Sequence, residues 1–484
     1  MAMNMNGHQI GRLRAALANL KTVRIEGQPP YGVDSLTEVI DRHDLVEASI
    51  DFVKLTATGF TSDGVKAIAA LARSFRDPES QLSHQASNPT LSKFIASEIM
   101  RRWHSSDVTM IETSELQELA PSVEAWFARF NQVKQHVVPC ILFLQQVPPI
   151  KIGPVRFFHA YDFPTEEFGI TPQEFWPSLG EGETVANAAV RPGGFYFERL
   201  LEIAFRRDAN WLAIVDVPGR ADPESQRSAD AAADIALGAI QLICPGKDMR
   251  KIARTTGRSA STYRADVYRS PNGVSTPVAN HTPALSRSPE MIDLHLQNSK
   301  PMLESMGRRL EGFLGATSNS YNLDAAWCNA VYWYHEALAE DLETVAAVKL
   351  ETAIEVLFGA GNNKESTSRM LQGIEGILGL RKDHQIEPGN PVTVKQVVAA
   401  ISTARSRVLH GTWPTLHNDL PGSGGTFSLS LSDIELIARN LLLFYPIYLE
   451  SYQAKGQIDD TAKAFLDWIV SQRRSAISAA TSKL

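Results

Sequence analysis

The chain has 484 residues, and 47 lysine and arginine residues against 54 aspartate and glutamate residues give a net charge of −7 with neutral histidines. Hydrophobic residues make up 44% and charged residues 21%, as in ordinary soluble globular proteins. A disordered chain, a collagen-like fibre and a long coiled coil are therefore excluded, and any contact with nucleic acid has to come from a local basic patch.

The cysteine and hydropathy patterns predict a cytoplasmic protein. The three cysteines, Cys140, Cys244 and Cys328, are far apart and form no CxxC pair, which argues against a disulfide framework or a zinc ribbon and fits a reducing compartment. No apolar stretch approaches the ~20 residues that a membrane helix needs, and the first residues lack the apolar core of a signal peptide. The length suggests two or three domains.

Residues 1–315 predict an α+β region of one or two subdomains, because helical periodicity alternates with short apolar runs beside proline or glycine. The predicted helices are Ile10–Leu20, Asp63–Phe75, Thr90–Trp103, Ser114–Lys134 and Ser228–Leu242. The predicted strands are Val137–Leu144, Val155–Ala160 and Trp211–Val217.

A basic segment lies in the polar, turn-rich part of this region. Between residues 247 and 269 there are two acidic residues and seven basic ones. The basic residues are Lys247, Arg250, Lys251, Arg254, Arg258, Arg264 and Arg269. Because Tyr263 and Tyr268 are interleaved, the segment could bind a nucleic-acid backbone and stack bases. A solvated loop and an edge strand protected by charge explain the same composition, and both interpretations stay open.

Residues 316–484 predict an antiparallel helical bundle, because helical patterns follow one another with short connections. The predicted helices, after a leading helix at Met302–Leu314, are Leu323–Ala339, Leu342–Phe358, Thr367–Leu380, Val394–His410, Ser432–Tyr452 and Thr461–Ile477.

The helix Val394–His410 carries an unusual pair of residues. At ~100° per residue, Arg405 falls in the middle of the apolar stripe of this helix. A guanidinium there has to reach the helix end, pair with a carboxylate or meet a partner chain. Glu351 and Glu355 on the helix Leu342–Phe358 are candidate partners. His410 follows five residues later, at the predicted helix end before glycine.

The string Arg405-Ser406-Arg407-Val408-Leu409-His410-Gly411 resembles the RxxxxH signature of the HEPN superfamily, and more specifically the Apea-like HEPN domain. The strings WYHEAL at 333–338 and LETAIEVLF at 350–358 are similar to the first two helices of that family. The resemblance covers roughly residues 320–452, under a third of the chain.

This resemblance implies a metal-independent endoribonuclease. We expect no cofactor, because the sequence has no GxSxG elbow, HExxH motif or paired Asp-x-Asp. Arg405 and His410 would be the catalytic pair, and Ser406 would stand where asparagine is commoner. From its helix position, Glu355 is a candidate support for Arg405. Arg407, on the polar side of the helix, could contact an RNA phosphate or be an ordinary exposed arginine. In such enzymes the 2′-hydroxyl attacks the neighbouring phosphorus. Histidine can move protons near neutral pH, and arginine can bind a phosphate as charge builds up. The resemblance also implies antiphage defence by abortive infection, so residues 1–315 would sense a phage or nucleic-acid trigger or select the substrate.

Helix geometry separates the two catalytic candidates. Five residues rotate by roughly 500°, so the two side chains point about 140° apart in a regular helix. Either the last turn distorts or two protomers combine their motifs across a two-fold axis. The family forms dimers with composite sites, so we expect a homodimer through the bundle.

A second hypothesis is a non-catalytic, HEPN-like dimer that serves as a binding or scaffold protein. In that case Arg405 is a structural arginine tied to a carboxylate, and His410 is a C-terminal histidine favoured by the helix dipole. A DNA-binding regulator is disfavoured by the acidic charge and by the lack of a clear helix-turn-helix.

Overall fold

The computed structural model divides the chain into two compact units, Met1–Lys134 with Pro218–Arg227 and Gln135–Val217 with Ser228–Leu484. The residues that the structure describes are 4–24, 40–51, 56–76, 82–104, 110–170, 200–201, 209–246, 249–250, 252–254, 263–265, 268–270, 273–275, 278–280, 288–315, 318–359, 363–385, 392–410 and 430–481.

The first unit combines helices with a three-stranded antiparallel sheet of order β1-β3-β2. Its elements are α1 (Gly7–Ala18), β1 (Leu20–Arg24), β2 (Val46–Asp51), β3 (Thr56–Phe60), α2 (Ser62–Phe75), α3 (Leu82–Gln85), α4 (Asn88–Trp103), α5 (Thr113–Gln117) and α6 (Leu119–Ala128). The sequence did not predict these strands, because β1 has no buried residue and therefore lacks the apolar alternation that marks a strand.

The single helix predicted at Ser114–Lys134 is wrong. The structure has two helices, α5 and α6, with Glu118 between them. Pro121 lies in the first turn of α6, where its missing N–H group would have no helical partner in any case. The chain then turns, and a strand begins at Lys134.

The second unit contains a five-stranded sheet of order β5-β6-β7-β4-β8. Its strands are β4 (Lys134–Ile141), β5 (Ile150–Ile152), β6 (Val155–His159), β7 (Trp211–Val217) and β8 (Ala253–Arg254), and α7 (Asp222–Ile243) follows β7. The pairs β5–β6, β6–β7 and β4–β8 are antiparallel. The three strands predicted from the sequence correspond to β4, β6 and β7, and the helix predicted at Ser228–Leu242 lies within α7.

Short strands and then helices complete the second unit. The strands pair as β9 (Tyr263–Ala265) with β12 (Val278–Asn280) and as β10 (Tyr268–Ser270) with β11 (Gly273–Ser275). The helices are α8 (Pro289–Asn298), α9 (Lys300–Gly315), α10 (Tyr321–Leu338), α11 (Glu343–Phe358), α12 (Asn363–Gly373), α13 (Val394–Leu409), α14 (Leu431–Ala454) and α15 (Ala462–Thr481). A π-helical turn, Ile374–Leu378, extends α12.

The structure does not divide the chain at residue 315, where the sequence placed a domain boundary. One continuous hydrophobic core contains Val155 and Val215 of the sheet, Ile240 of α7, Leu310 of α9 and Trp327 of α10, and it continues through the later helices. The sheet and the helices bury their apolar faces against one another, so neither forms a core by itself. The mixed α and β structure of the first half and the helical second half are nevertheless as predicted.

Within the helical part, α11 packs against α10, α13 and α14. Trp327 of α10 is fully buried, and its indole N–H donates a 2.9 Å hydrogen bond to the carbonyl of Leu442 in α14. These contacts fix α11 in the middle of the bundle, with one face towards α13, the helix that carries the RxxxxH string.

Candidate active site

The helix α13 begins and ends at well-defined residues. Thr393 and Gln396 form a capping box at its start, in which each side chain accepts a hydrogen bond from the other residue's backbone N–H. The buried side chains of the helix form one stripe: Val394, Val397, Val398, Ile401 and Ala404. Spacings of three and four residues place such a stripe against the core, and Arg405 directly follows its last member.

Arg405 faces two carboxylates of α11. Its Nη1 donates a 3.2 Å hydrogen bond to Oε1 of Glu351 and lies 3.0 Å from Oε2 of the same residue, and it also donates to Oε2 of Glu355. Glu351 and Glu355 are one helical turn apart, so both reach the same nitrogen. The structure thus brings Arg405 together with both candidate partners from the sequence, Glu351 and Glu355.

Burial makes this group electrostatically unusual. The side chain of Glu351 is only 3% exposed, and loss of hydration raises its pKa to about 7, although Arg405 opposes that shift. Burial lowers the pKa of Arg405, but the two carboxylates more than offset this and the net change is upward. With all three groups ionised the cluster carries one positive and two negative charges.

His410 lies on the solvent-exposed end of α13 as its C-cap residue. Its backbone N–H donates a 3.0 Å hydrogen bond to the carbonyl of Ser406, so the helical pattern continues through His410. Helical backbone hydrogen bonding therefore extends to this residue, although its own φ of −86° and ψ of 4° depart from helical values. Because positions five residues apart on a regular helix point about 140° apart, the backbone of one chain directs Arg405 and His410 to different faces.

The two further candidate site residues of the string, Ser406 and Arg407, are exposed. Ser406 and Arg407 lie on the solvent side of α13, and neither shares the inward direction of Arg405. The glycine that follows His410 and the segment 411–429 lie outside the described residues.

The basic segment at 247–269 is partly described, and its arginines there bond to carboxylates. Arg250 pairs with Glu435 of α14. Arg254 donates through Nε to both oxygens of Asp234, at 2.9 and 3.0 Å, and its Nη1 lies 3.3 Å from Asp230. Lys247, Lys251 and Arg258 lie outside the described residues, and the side chains of Arg264 and Arg269 are not described.

A buried polar cluster that the sequence analysis did not single out lies beside Arg254. Nδ1 of His335 is 2.8 Å from Oε1 of Gln241, whose amide nitrogen donates to the carbonyl of Met249 at 2.7 Å. Because the amide uses its nitrogen elsewhere, Nδ1 of His335 is the donor of the first bond. Nε2 of His335 lies 3.8 Å from Asp234. His335, Asp234 and Arg254 border a cavity of about 170 Å³. The sequence signal for this cluster is the presence of polar residues inside apolar helical patterns.

Searches for a matching family model, a similar curated protein and a similar solved structure each found no match. Within the described ranges, no three histidine, cysteine, aspartate or glutamate side chains come together as a metal site would require. No helix in the described part of the chain is both long enough and apolar enough to cross a bilayer.

Proposed function

We propose that this chain is a metal-independent endoribonuclease, built on a HEPN-like helical bundle, whose catalytic groups are Arg405 and His410. The observation that supports the proposal most is that both residues lie near the C-terminal end of one helix, α13. An arginine held in place by two carboxylates lies five residues before an exposed histidine at the C-cap of α13. The resemblance of this string to the RxxxxH signature supplies the reaction.

The proposed reaction breaks RNA by internal transfer. An imidazole accepts the proton of the 2′-hydroxyl, the 2′-oxygen forms a bond to phosphorus, and the bond from phosphorus to the 5′-oxygen breaks. The imidazolium gives a proton to the leaving 5′-oxygen, so the products are a 2′,3′-cyclic phosphate and a 5′-hydroxyl. Arg405 would bind the phosphate while negative charge builds up on it, and Ser406 would support it as a polar neighbour.

The proposed active form is a homodimer through the helical bundle. Because one chain points Arg405 and His410 in different directions, a complete site needs groups from two copies around a two-fold axis. Apolar side chains are exposed on the helices concerned, among them Leu409 on α13 and Leu436 on α14, at 63% and 55%. Exposed apolar surface of this kind is typical of protein interfaces when it is contiguous.

The remaining assignments rest on charge, on helix position and, for the defence role, on the resemblance. Arg407 would contact an RNA phosphate from the exposed side of α13. Lys247, Lys251 and Arg258 remain predicted RNA-binding residues, whereas the guanidinium groups of Arg250 and Arg254 bond to carboxylates. We also propose that the protein is cytoplasmic and acts in antiphage defence, and that the region before residue 316 senses the trigger or selects the RNA.

The test compares purified full-length wild type with His410→Ala and Arg405→Ala on a mixed RNA substrate in EDTA. We expect each substitution to reduce cleavage by at least about 100-fold, because each removes a group needed in the transition state. Cyclic phosphate and 5′-hydroxyl ends on the products identify the reaction. A substrate with a 2′-deoxy nucleotide at the cleavage site should not be cleaved there, because it lacks the attacking 2′-hydroxyl.

His384→Ala is the matched control, since His384 is another exposed histidine of the same helical part. It should leave cleavage unchanged. Cleavage that requires Mg²⁺ would contradict the chemistry, and equal cleavage by wild type and His410→Ala would contradict the site.

A non-catalytic dimer that binds or scaffolds a partner is the second candidate. The bonding of Arg405 to Glu351 and Glu355 favours it, because a purely structural arginine makes the same contacts. Wild-type RNA binding without cleavage under any of the conditions above would support this candidate instead.

A further inference from the structure

The group formed by Arg405, Glu351 and Glu355 contains two carboxylates but one guanidinium, so one negative charge is not balanced when all three are ionised. Both carboxylates contact the same guanidinium nitrogen, and the side chains of Glu351 and Glu355 are 3% and 16% exposed. Among the described residues, Oε2 of Glu351 accepts no hydrogen bond although it is buried. A buried excess charge of this kind is costly unless the group takes up a proton.

A phosphate at Arg405 would make that excess larger in either of two ways. If Arg405 keeps its present contacts, the phosphate adds a further negative charge to the cluster. If Arg405 turns towards the phosphate, Glu351 stays buried without its countercharge. Both arrangements raise the affinity of the carboxylate pair for a proton, because like charges and burial each disfavour the ionised carboxylate.

We propose that RNA binding at Arg405 is coupled to the uptake of one proton by the Glu351–Glu355 pair. The inference rests on the proposed function, since it assumes that Arg405 binds an RNA phosphate. Glu351 is the more buried partner and holds the proton. It is therefore a positioning residue that sets the pH range in which Arg405 is available, and it does not itself touch the substrate.

Two charged groups act on Glu351 in the described part of the chain, Arg405 from α13 and Glu355 from α11 itself. The first lowers the pKa of Glu351 and the second raises it, while burial is the largest cause and raises it to about 7. The pair consequently begins to lose its proton near neutral pH in the free protein. Binding of a phosphate shifts this loss to higher pH.

The experiment measures RNA affinity between pH 6.5 and 8.5 at constant ionic strength. The probe is a ten-nucleotide RNA with 2′-O-methyl groups throughout, which lacks the attacking hydroxyl, and it carries a dye that does not titrate in this range. The protein is the full chain with His410→Gln, because histidine itself changes charge in this range. Fluorescence anisotropy gives Kd at each pH.

Coupling to one proton predicts that the affinity falls by up to about tenfold per pH unit above pH 7.5. Adding Glu351→Gln should flatten this dependence to less than about twofold per unit and should strengthen binding at pH 8.5. Glu375→Gln is the matched control, because Glu375 pairs with Arg474 instead, and it should keep the original slope. If the affinity changes equally with pH whether residue 351 is glutamate or glutamine, the proposal is overturned.

Calorimetry on the unsubstituted chain and on the chain with His410→Gln gives a readout that needs no substitution of Glu351 or Glu355. The binding enthalpy of the same probe, measured at pH 8 in two buffers of different ionisation enthalpy, yields the number of protons taken up. We expect close to one proton per site beyond the contribution that His410→Gln removes, and zero would overturn the coupling. RNA cleavage without proton uptake on binding would reject this inference alone. If the protein neither binds nor cleaves RNA, the proposed function is rejected as well.

Discussion

Individual buried charges in this protein are held by partners on other helices, and Arg309 is a second example besides Arg405. Its Nη1 donates a 2.8 Å hydrogen bond to Asp324, and the two side chains are 5% and 1% exposed. Burial raises the pKa of Asp324 to about 6, although Arg309 lowers it. Asp324 therefore binds a proton more tightly in the folded than in the unfolded chain, and its contribution to stability is lost as the pH rises from about 4 through 6.

We predict that Arg309→Met destabilises the protein more at pH 8 than at pH 5. At pH 8 the substitution leaves Asp324 as an uncompensated buried charge, which should cost about 3–5 kcal/mol. At pH 5 the carboxyl group is protonated and the loss is smaller. Urea unfolding at both pH values measures the difference in the free energy of unfolding.

The neighbouring Arg308 provides the control for this prediction. It pairs with Glu450 in a contact whose side chains are 50% and 35% exposed. Arg308→Met should therefore cost no more than about 1 kcal/mol at either pH. Similar costs for the two substitutions, or a cost for Arg309→Met that does not change with pH, would contradict the prediction.

At the scale of elements, α9 shows how a helix and a turn constrain each other. Gly307 of α9 touches the backbone of Gly153, which lies in the turn between β5 and β6 with φ of +55°. A Cβ atom on Gly307 would lie closer to the nitrogen of Gly153 than real Cβ contacts allow. The backbone of the turn and the helix meet because neither residue has a side chain.

We predict that Gly307→Ala destabilises the protein by about 2 kcal/mol, because the overlap outweighs the gain of ~1 kcal/mol that alanine brings to a helix interior. Gly11→Ala in α1 should instead stabilise by about 0.5–1 kcal/mol, since nothing lies within 4 Å of its Cβ position. Urea unfolding of both variants checks the opposite signs. Stabilisation by Gly307→Ala would show that the turn can move away.

The elements themselves differ in how far the sequence predicted them. Helices such as α4, α10 and α14 follow from their apolar periodicity, because each buries one stripe. The strands β1 to β3 were missed, since β1 has no buried residue. The contact between Arg405 and Glu355 was anticipated because an arginine in an apolar stripe needs a carboxylate, whereas the cluster of His335, Gln241 and Asp234 depends on which elements become neighbours.

At the scale of the molecule, the continuous core of the second unit decides which fragments fold. The helices after residue 315 share that core with the sheet, with α7 and with α9. We predict that a fragment of residues 316–484 aggregates or lacks a cooperative thermal transition, because it exposes the apolar surface that these elements cover. Circular dichroism melting and size-exclusion chromatography make the measurement.

The fragment 135–484 is the control, since it contains all of the second unit. It should be soluble and should melt cooperatively. A cooperative melt of the fragment 316–484, equal to that of the longer fragment, would contradict the prediction and would restore a boundary at residue 315.

The sequence alone determined the helical second half, the mixed first half and the position of Arg405 inside an apolar stripe, because local periodicity decides which face of an element is buried. Only the tertiary structure decided that the sheet and the helices share one core and that Glu351 and Glu355 both reach Arg405. These features depend on which distant segments pack together, and local periodicity does not specify that choice.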